Sequence, residues 1–441
     1  MMKIFRLFAI ASLFLVVGCS SGSDDSSSAQ DVLADSSVDL PEFLPDVVAD
    51  SAEPLDLLDD FAPDKGSQDV SVEPDSMDVA EDVEPCEATV IGGPWFVDSA
   101  KGTVIMRLRT VEDCPLSVST TGAGQEAAFV TKPEEKVVEL LGIPMLEMAG
   151  FYHTVELSFP EQAETVTIAV PALSFETELV VPQNANPLNM VLFGDTRTNH
   201  DKHQGVVDRF ALENPAVVVH TGDMVSGGGN LEWWDLFFDI EGEMLAHTMF
   251  APAMGNHELM GEGFFDLFFG ARWHREGKPR TYAQDYGLVG LVVLDNYSSG
   301  WTKPEDLEWL DATLEQLSEK RWLILAYHEP AYTFSNHGPW LAGRDHVHPL
   351  AVKHGVDIVL SGHNHCYEHY IVDGIQYVVS GGGGAPLYSV NQDDAPAEEL
   401  ALFVNGTTVH HHVWVEATDE KLTATVVISE DGSVYENFEL E

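Results

Sequence analysis

The stretch Val356-Asp357-Ile358-Val359-Leu360-Ser361-Gly362-His363-Asn364-His365 sets a short β-branched apolar run directly before a glycine turn and three polar side chains. A run of this length and composition reads as a buried strand, and its polar residues then lie at the strand's C-terminal end. An apolar run ending in a polar residue or cluster occurs four more times upstream. Residues 189–193 lead into Gly194-Asp195-Thr196-Arg197, 217–219 into Thr221-Gly222-Asp223, 248–254 into Gly255-Asn256-His257-Glu258, and 322–326 into Tyr327-His328-Glu329-Pro330. Residues at strand C-terminal ends converge on one edge of a sheet, where α/β proteins place their sites. Helical patterns lie between the runs. Residues 304–320 open on Pro304 and repeat Leu307, Leu310, Leu314 and Leu317 at helical spacing, so these leucines are expected to face a core. The alternation predicts a layered α/β domain over 187–441.

Of 18 histidines, all but His153 lie at or after His200, so the chemistry is concentrated in this half. The strand ends deliver two carboxylates, an amide oxygen and three imidazoles. That set suits a pair of metal ions better than a serine or cysteine nucleophile: imidazole favours Zn, Fe, Ni and Cu, and carboxylate also admits Mn and Mg.

Taken in order, Gly194-Asp195, Gly222-Asp223, Gly255-Asn256-His257-Glu258, His328 and Gly362-His363-Asn364-His365 resemble the motif series of the calcineurin-like metallophosphoesterases. The resemblance implies an αββα sandwich holding two divalent or trivalent ions, of Fe, Zn or Mn. Asp223 would bridge them, Asp195 and His365 would complete one site, and Asn256, His328 and His363 the other. His257 would contact the phosphate or protonate the leaving oxygen, with Glu258 orienting it. The segments around His328 and His337, residues 361–369, the glycines at 381–384 and the strand bearing His410, His411 and His412 are similar to the purple acid phosphatase branch. One departure stands out. Where the wider family often has a histidine two positions after the first Asp, and the purple enzymes a tyrosine three positions after it, this chain has Arg197 and Thr198. The first site therefore lacks a protein ligand or recruits another, such as His200 or water. Arg197 also matches phosphate oxygens with its planar fork, and His337 is a candidate substrate contact at the pocket rim.

The expected reaction is hydrolysis of phosphate monoesters by a metal-held hydroxide. Phosphodiester or nucleotide hydrolysis is the alternative within the same chemistry, and a surface-binding lipoprotein without activity is the alternative outside it. Consecutive His410, His411 and His412 in a strand face opposite sides and cannot all meet one metal. The glycine run lacks the Lys-Ser/Thr ending of a nucleotide-binding loop and reads as a tight turn near the site. Cys366 is expected to pack beneath the ligands, and Trp233, Trp234, Phe237 and Phe238 in a helical core.

Residues 86–186 alternate short apolar runs at 103–108, 137–141, 154–159, 165–170 and 176–181 with turn signals. They are expected to form an all-β, fibronectin III-like sandwich with no chemistry of its own, its start pinned by a Cys86–Cys114 disulfide.

Ahead of it, Lys3 and Arg6 precede an apolar run over 7–17 that is too short to span a bilayer, followed by Gly18-Cys19-Ser20. Residues 1–19 resemble a bacterial lipoprotein signal with Cys19 as the acylated residue, which implies export and anchoring at the outer membrane. Residues 20–85 carry 20 acidic side chains against the single basic Lys65, and only two aromatics. Such a stretch cannot bury a core and reads as a self-repelling tether. The whole chain holds 21 Lys+Arg against 73 Asp+Glu, a net charge of -52, which argues against nucleic-acid binding. A small phosphorylated substrate is compatible if bound metal reverses the local field.

Overall fold

In the strand Leu188–Phe193, alternate side chains serve two cores. Met190 and Leu192 face inward to a core shared with Val217, Val219, Leu291, Ile324 and Leu360. Val191 and Phe193 face outward, where Val206, Phe210, Trp234 and Phe237 cover them from the helices His200–Ala211 and Leu231–Leu245. The second sheet repeats the arrangement: Val292, Leu323, Leu325 and Val359 meet Leu310, Leu314 and Leu317 of the helix Pro304–Leu317. Two sheets packed face to face with helices on both outer sides give the αββα order expected from the sequence. Leu307 is only half-buried on that helix.

The computed structural model describes residues 87–441, apart from 101–102, 141–142, 271–273, 299 and 394. Contacts divide the chain into Met1–Asp75 and Ser76–Glu441, and all described residues belong to the second unit. The signal and tether expected before residue 86, with Cys19, lie outside the described residues, as does Cys86. Cys114 is disulfide-bonded, and Cys366 is free and buried. No helix among the described residues is long and apolar enough to cross a membrane.

In the first sheet the antiparallel strands Val434–Leu440, Leu422–Ile428 and His411–Ala417 lead to parallel Leu188–Phe193, Val217–His220 and Met249–Pro252. The sheet continues into the N-terminal segment. Val90–Ala100 pairs in parallel with Met249–Pro252 at Phe96 and Met249, and Thr103–Thr110, Phe151–Ser158 and Lys132–Glu134 extend it to ten strands. Phe175–Val180, Thr165–Val170, Ser117–Gly122 and Gln125–Val130 form a separate four-stranded sheet. Of the ten strands described between residues 87 and 186, four thus belong to the large sheet, four to the separate sheet, and Val137–Leu140 and Ile143–Glu147 pair with each other. Side chains reinforce the join: Trp95 Nε1 and Arg107 Nη1 both donate to the Phe268 carbonyl, at 2.8 and 2.7 Å. Arg109 pairs with Asp235 at 2.6 Å.

The three consecutive histidines divide as the alternation requires. His411 faces Ser380 and His412 faces Phe210, its ring centroid 5.3 Å away. His412 is fully buried and neither ring nitrogen has a hydrogen-bond partner. Burial, then His411, pushes its pKa down to about 3 from 6.5. A depressed histidine pKa gives stability that is full above 6.5 and is lost as pH falls toward 3. At pH 4.5 the loss is about 2–3 kcal/mol, from ~1.4 kcal/mol per pH unit. His412→Phe is expected to flatten the acid limb of the melting-temperature profile between pH 6.5 and 4.5. An unchanged limb would remove His412 as its cause.

Candidate metal centre

Each of the five strand-end segments turns sharply as it leaves its sheet, and three of the expected ligands sit at those turns with left-handed backbone: Asp195 at φ 58°, Asp223 at 56° and His363 at 67°. Non-glycine residues adopt this region at a cost of about 1–3 kcal/mol each and hold it where the surroundings dictate it. Gly222, at φ 100°, precedes Asp223 because a Cβ there would stand 2.6 Å from the Gly255 nitrogen and 2.8 Å from His328 Nδ1.

The turns bring Asp195, Asp223, Asn256, His257, His328, His363 and His365 together. His328 Nδ1 donates to the Thr221 carbonyl at 2.7 Å, which leaves the Nε2 lone pair facing the centre. That nitrogen stands 3.2 Å from Asn256 Oδ1, 3.4 Å from Asp223 Oδ1 and 3.2 Å from His363 Nδ1, and His363 Nδ1 is 3.0 Å from Asn256 Oδ1. Donors held about 2.0–2.2 Å from one tetrahedral ion stand roughly 3.4 Å apart. Asn256 Oδ1, His328 Nε2 and His363 Nδ1 therefore fit as donors to a single ion, and Asp223 Oδ1 adjoins them through His328. Asp195, Asp223 and His328 also offer donor atoms that all lie within 4.8 Å of one another, and all three residues are buried.

The other expected position is less complete. His365 Nδ1 donates to the Pro386 carbonyl at 2.6 Å and turns Nε2 to Asp195 Oδ1, 3.6 Å away. Asp195 accepts the His363 backbone N–H on both oxygens, at 3.1 and 2.9 Å. On the far oxygen of Asp223 lies Arg197, with Nε 3.4 Å from Oδ2. His200 supplies no ligand here, since its ring stacks on Trp233 at 5.9 Å.

Electrostatics match a site built for cations. Burial and the neighbouring Asp223 raise the Asp195 pKa well above the usual carboxylate range. Burial would raise Asp223 too, but His328, His257 and Arg197 together hold it below its ordinary value. Burial, then His328, drives His363 down to about 2, and burial, then Arg197, drives His365 down to about 3. Two buried carboxylates beside imidazoles kept neutral form a donor set short of positive charge, which a metal ion corrects.

His257 stands beside this set. Its Nδ1 donates to the Ser226 carbonyl at 2.9 Å, so Nε2 is the atom it presents, 3.8 Å from Asp223 Oδ2. Glu258 does not orient that ring. Its carboxylate instead accepts the backbone N–H groups of Asp223 at 2.9 Å, Gly255 at 2.8 Å and Val225 at 3.3 Å, which ties the second motif to the third. His337 sits at the rim with its ring over His363, centroids 4.3 Å apart. Asn364 fixes it there, accepting from the His337 N–H at 2.9 Å and donating to its carbonyl at 3.0 Å.

The glycine run docks on the first motif: Gly383 N–H donates to the Gly194 carbonyl at 2.9 Å, and Ala385 N–H to that of Asp195 at 2.8 Å. Beyond it Tyr388 stacks on His365 at 4.1 Å, a contact that no sequence pattern announced. Trp234, Phe237 and Phe238 are core as expected, whereas Trp233 is 36% exposed because it lies on the outer side of the same helix. His220, which no motif marks, joins the first two motifs: its Nδ1 accepts the Gly222 N–H at 3.1 Å and its Nε2 meets Thr196 Oγ1 at 3.2 Å.

Residues 188–367 match the family model described as calcineurin-like phosphoesterase. Over those residues, and with the geometry above, the chain is similar to the calcineurin-like, metal-dependent phosphoesterases. Among curated relatives, a barley (Hordeum vulgare) nucleotide pyrophosphatase/phosphodiesterase is 26% identical over 52% of this chain and 72% of its own length. Purple acid phosphatase 18 of Arabidopsis thaliana is 27% identical over 44% of this chain and 47% of its own, so the chain spans about half the length of that relative. A purple acid phosphatase from yellow lupin (Lupinus luteus) seeds superposes with a TM-score of 0.65 at 18% identity, covering 79% of this chain and 74% of its own. That likeness shows the fold.

Proposed function

We propose that this protein hydrolyses phosphate monoesters with the help of metal bound among Asp195, Asp223, Asn256, His328, His363 and His365. The observation that carries the reading is the convergence of Asn256 Oδ1, His328 Nε2 and His363 Nδ1 to mutual distances of 3.0–3.2 Å, with Asp223 Oδ1 3.4 Å from the same His328 nitrogen. When bound, Fe, Zn or Mn here supplies Lewis-acid charge and brings the ionisation of water near neutral pH. The protein's own groups do the rest. His257, fixed through Nδ1 by Ser226, offers Nε2 to a phosphoryl oxygen or carries a proton to the departing oxygen. Arg197 presents its guanidinium to the phosphate, and His337 borders the entry. The chain's excess of negative charge leaves this centre as the place where a small phosphorylated substrate is favoured.

Hydrolysis of a p-nitrophenyl monoester and its bis-ester by the full chain, with Mn, Zn or Fe added, tests the reading. Faster monoester turnover supports it. Faster bis-ester turnover would move the assignment to a phosphodiesterase, a second reading favoured by the match along most of the barley nucleotide pyrophosphatase/phosphodiesterase. Silence on both would favour a surface-binding protein of the same fold.

For the N-terminal part we propose export, acylation at Cys19, anchoring at the outer membrane and an acidic spacer before a fibronectin III-like scaffold. The motif around Cys19 and the composition of 20–85 support this. Cys19→Ser is expected to shift the protein from the membrane to the soluble fraction of fractionated cells. Unchanged membrane recovery would refute the anchor.

A further inference from the structure

We infer that Arg197 occupies the place of a second metal ion, so that the centre binds one ion, between Asp223, Asn256, His328 and His363. This goes beyond the proposed function and rests on its metal-dependent reading. The two oxygens of Asp223 face different surroundings. Oδ1 lies 3.4 Å from His328 Nε2, which itself stands 3.2 Å from both Asn256 Oδ1 and His363 Nδ1, so that side of the carboxylate meets electron-pair donors and no cation. Oδ2 faces the Arg197 Nε at 3.4 Å and the His257 Nε2 at 3.8 Å.

A guanidinium has five N–H groups, no lone pair to give a metal, and a charge that it keeps at any working pH. Placed 3.4 Å from Oδ2, its charge competes with a second ion for that oxygen and repels the ion. With Oδ2 of Asp223 engaged by the guanidinium charge, Asp195 and His365 are the unshared donors on this side, fewer than the three protein ligands of an open catalytic site.

The arginine is held rather than loosely placed. Its backbone N–H donates to the Asp223 carbonyl at 3.3 Å, its Nη1 lies 3.4 Å from Thr198 Oγ1, and its side chain is 17% exposed. Its Nε is buried without a hydrogen-bond partner of good geometry. A phosphoryl oxygen entering between the metal and the guanidinium would find positive charge on both sides, as between two ions. In this arrangement Arg197 belongs to the substrate-binding charge and Asp223 is shared between an ion and a side chain.

The test is metal stoichiometry. The full chain, stripped with a chelator, is titrated with Mn(II) alone, followed by calorimetry and by electron paramagnetic resonance. One ion per chain with the six-line spectrum of isolated Mn(II) is expected. Arg197→His, which removes the charge and adds a ligand, is expected to bind two ions and to give an exchange-coupled spectrum. Arg197→Ala should take the second ion at least tenfold more weakly than Arg197→His, and its titration serves if Arg197→His does not fold. Two ions with a coupled spectrum in the wild type would overturn the inference and leave metal dependence intact. One ion in the wild type and in both variants would overturn the assignment to Arg197. No ion bound by any of the three would overturn the metal-dependent reading itself.

Discussion

Asp223→Asn is expected to leave a folded protein that no longer retains metal. The carboxylate places Oδ1 3.4 Å from His328 Nε2 and Oδ2 3.4 Å from Arg197 Nε, so it is the atom pair around which the centre is arranged. The amide keeps the shape, and its oxygen can still accept the His257 backbone N–H that Asp223 Oδ1 holds at 3.0 Å. It loses the negative charge. Removing even a hydrogen-bond partner of a ligand lowers metal affinity about 10–100-fold, so loss of a charged ligand should exceed about 100-fold. Elemental analysis after gel filtration reads the result directly, with circular dichroism confirming the fold. A variant that keeps the wild-type metal content would remove Asp223 from the ligand set.

His257→Ala is expected to do the opposite, keeping the metal and losing turnover. The His257 ring is not among the donors that would hold the metal, and its Nε2 lies 3.8 Å from Asp223 Oδ2. A positioned acid contributes roughly 10²–10⁴-fold to rate, and that contribution grows as the leaving group becomes more basic. The loss in kcat should therefore be larger for an alkyl phosphate than for p-nitrophenyl phosphate, whose phenolate leaves readily without a proton. An equal loss for both substrates would assign His257 to phosphate binding alone. Restored activity in the presence of free imidazole would support the proton-transfer role.

The strand-end motifs were legible because each is local. An apolar run sets the strand, a glycine permits the turn in every motif but that of His328, and the polar residue after it has only one edge to occupy. Contacts made across the sheet edge were not legible. Ser226 holds His257 through a backbone carbonyl, which any residue type could supply. Tyr388 reaches His365 only because the glycine run folds back on the first motif. Glu258 is different, since a carboxylate three residues after Gly255 has the spacing of a capping box, and that spacing predicts a bond to the Gly255 N–H. The ten-stranded sheet was hidden for a further reason. Pairing of Phe96 with Met249 joins segments about 150 residues apart, and alternation within a strand does not name its neighbour.

That pairing bears on how the protein can be divided. A fragment beginning at residue 187 would contain every candidate ligand, yet Met249–Pro252 would become an open border with unpaired backbone groups. The Phe268 and Gly270 carbonyls would also lose the donors supplied by Trp95 and Arg107. Exposed borders of this kind recruit other chains and favour aggregation. The N-terminal strands thus act as a built-in guard for the catalytic sheet, and the two parts are expected to travel together through any gene fusion, truncation or domain exchange.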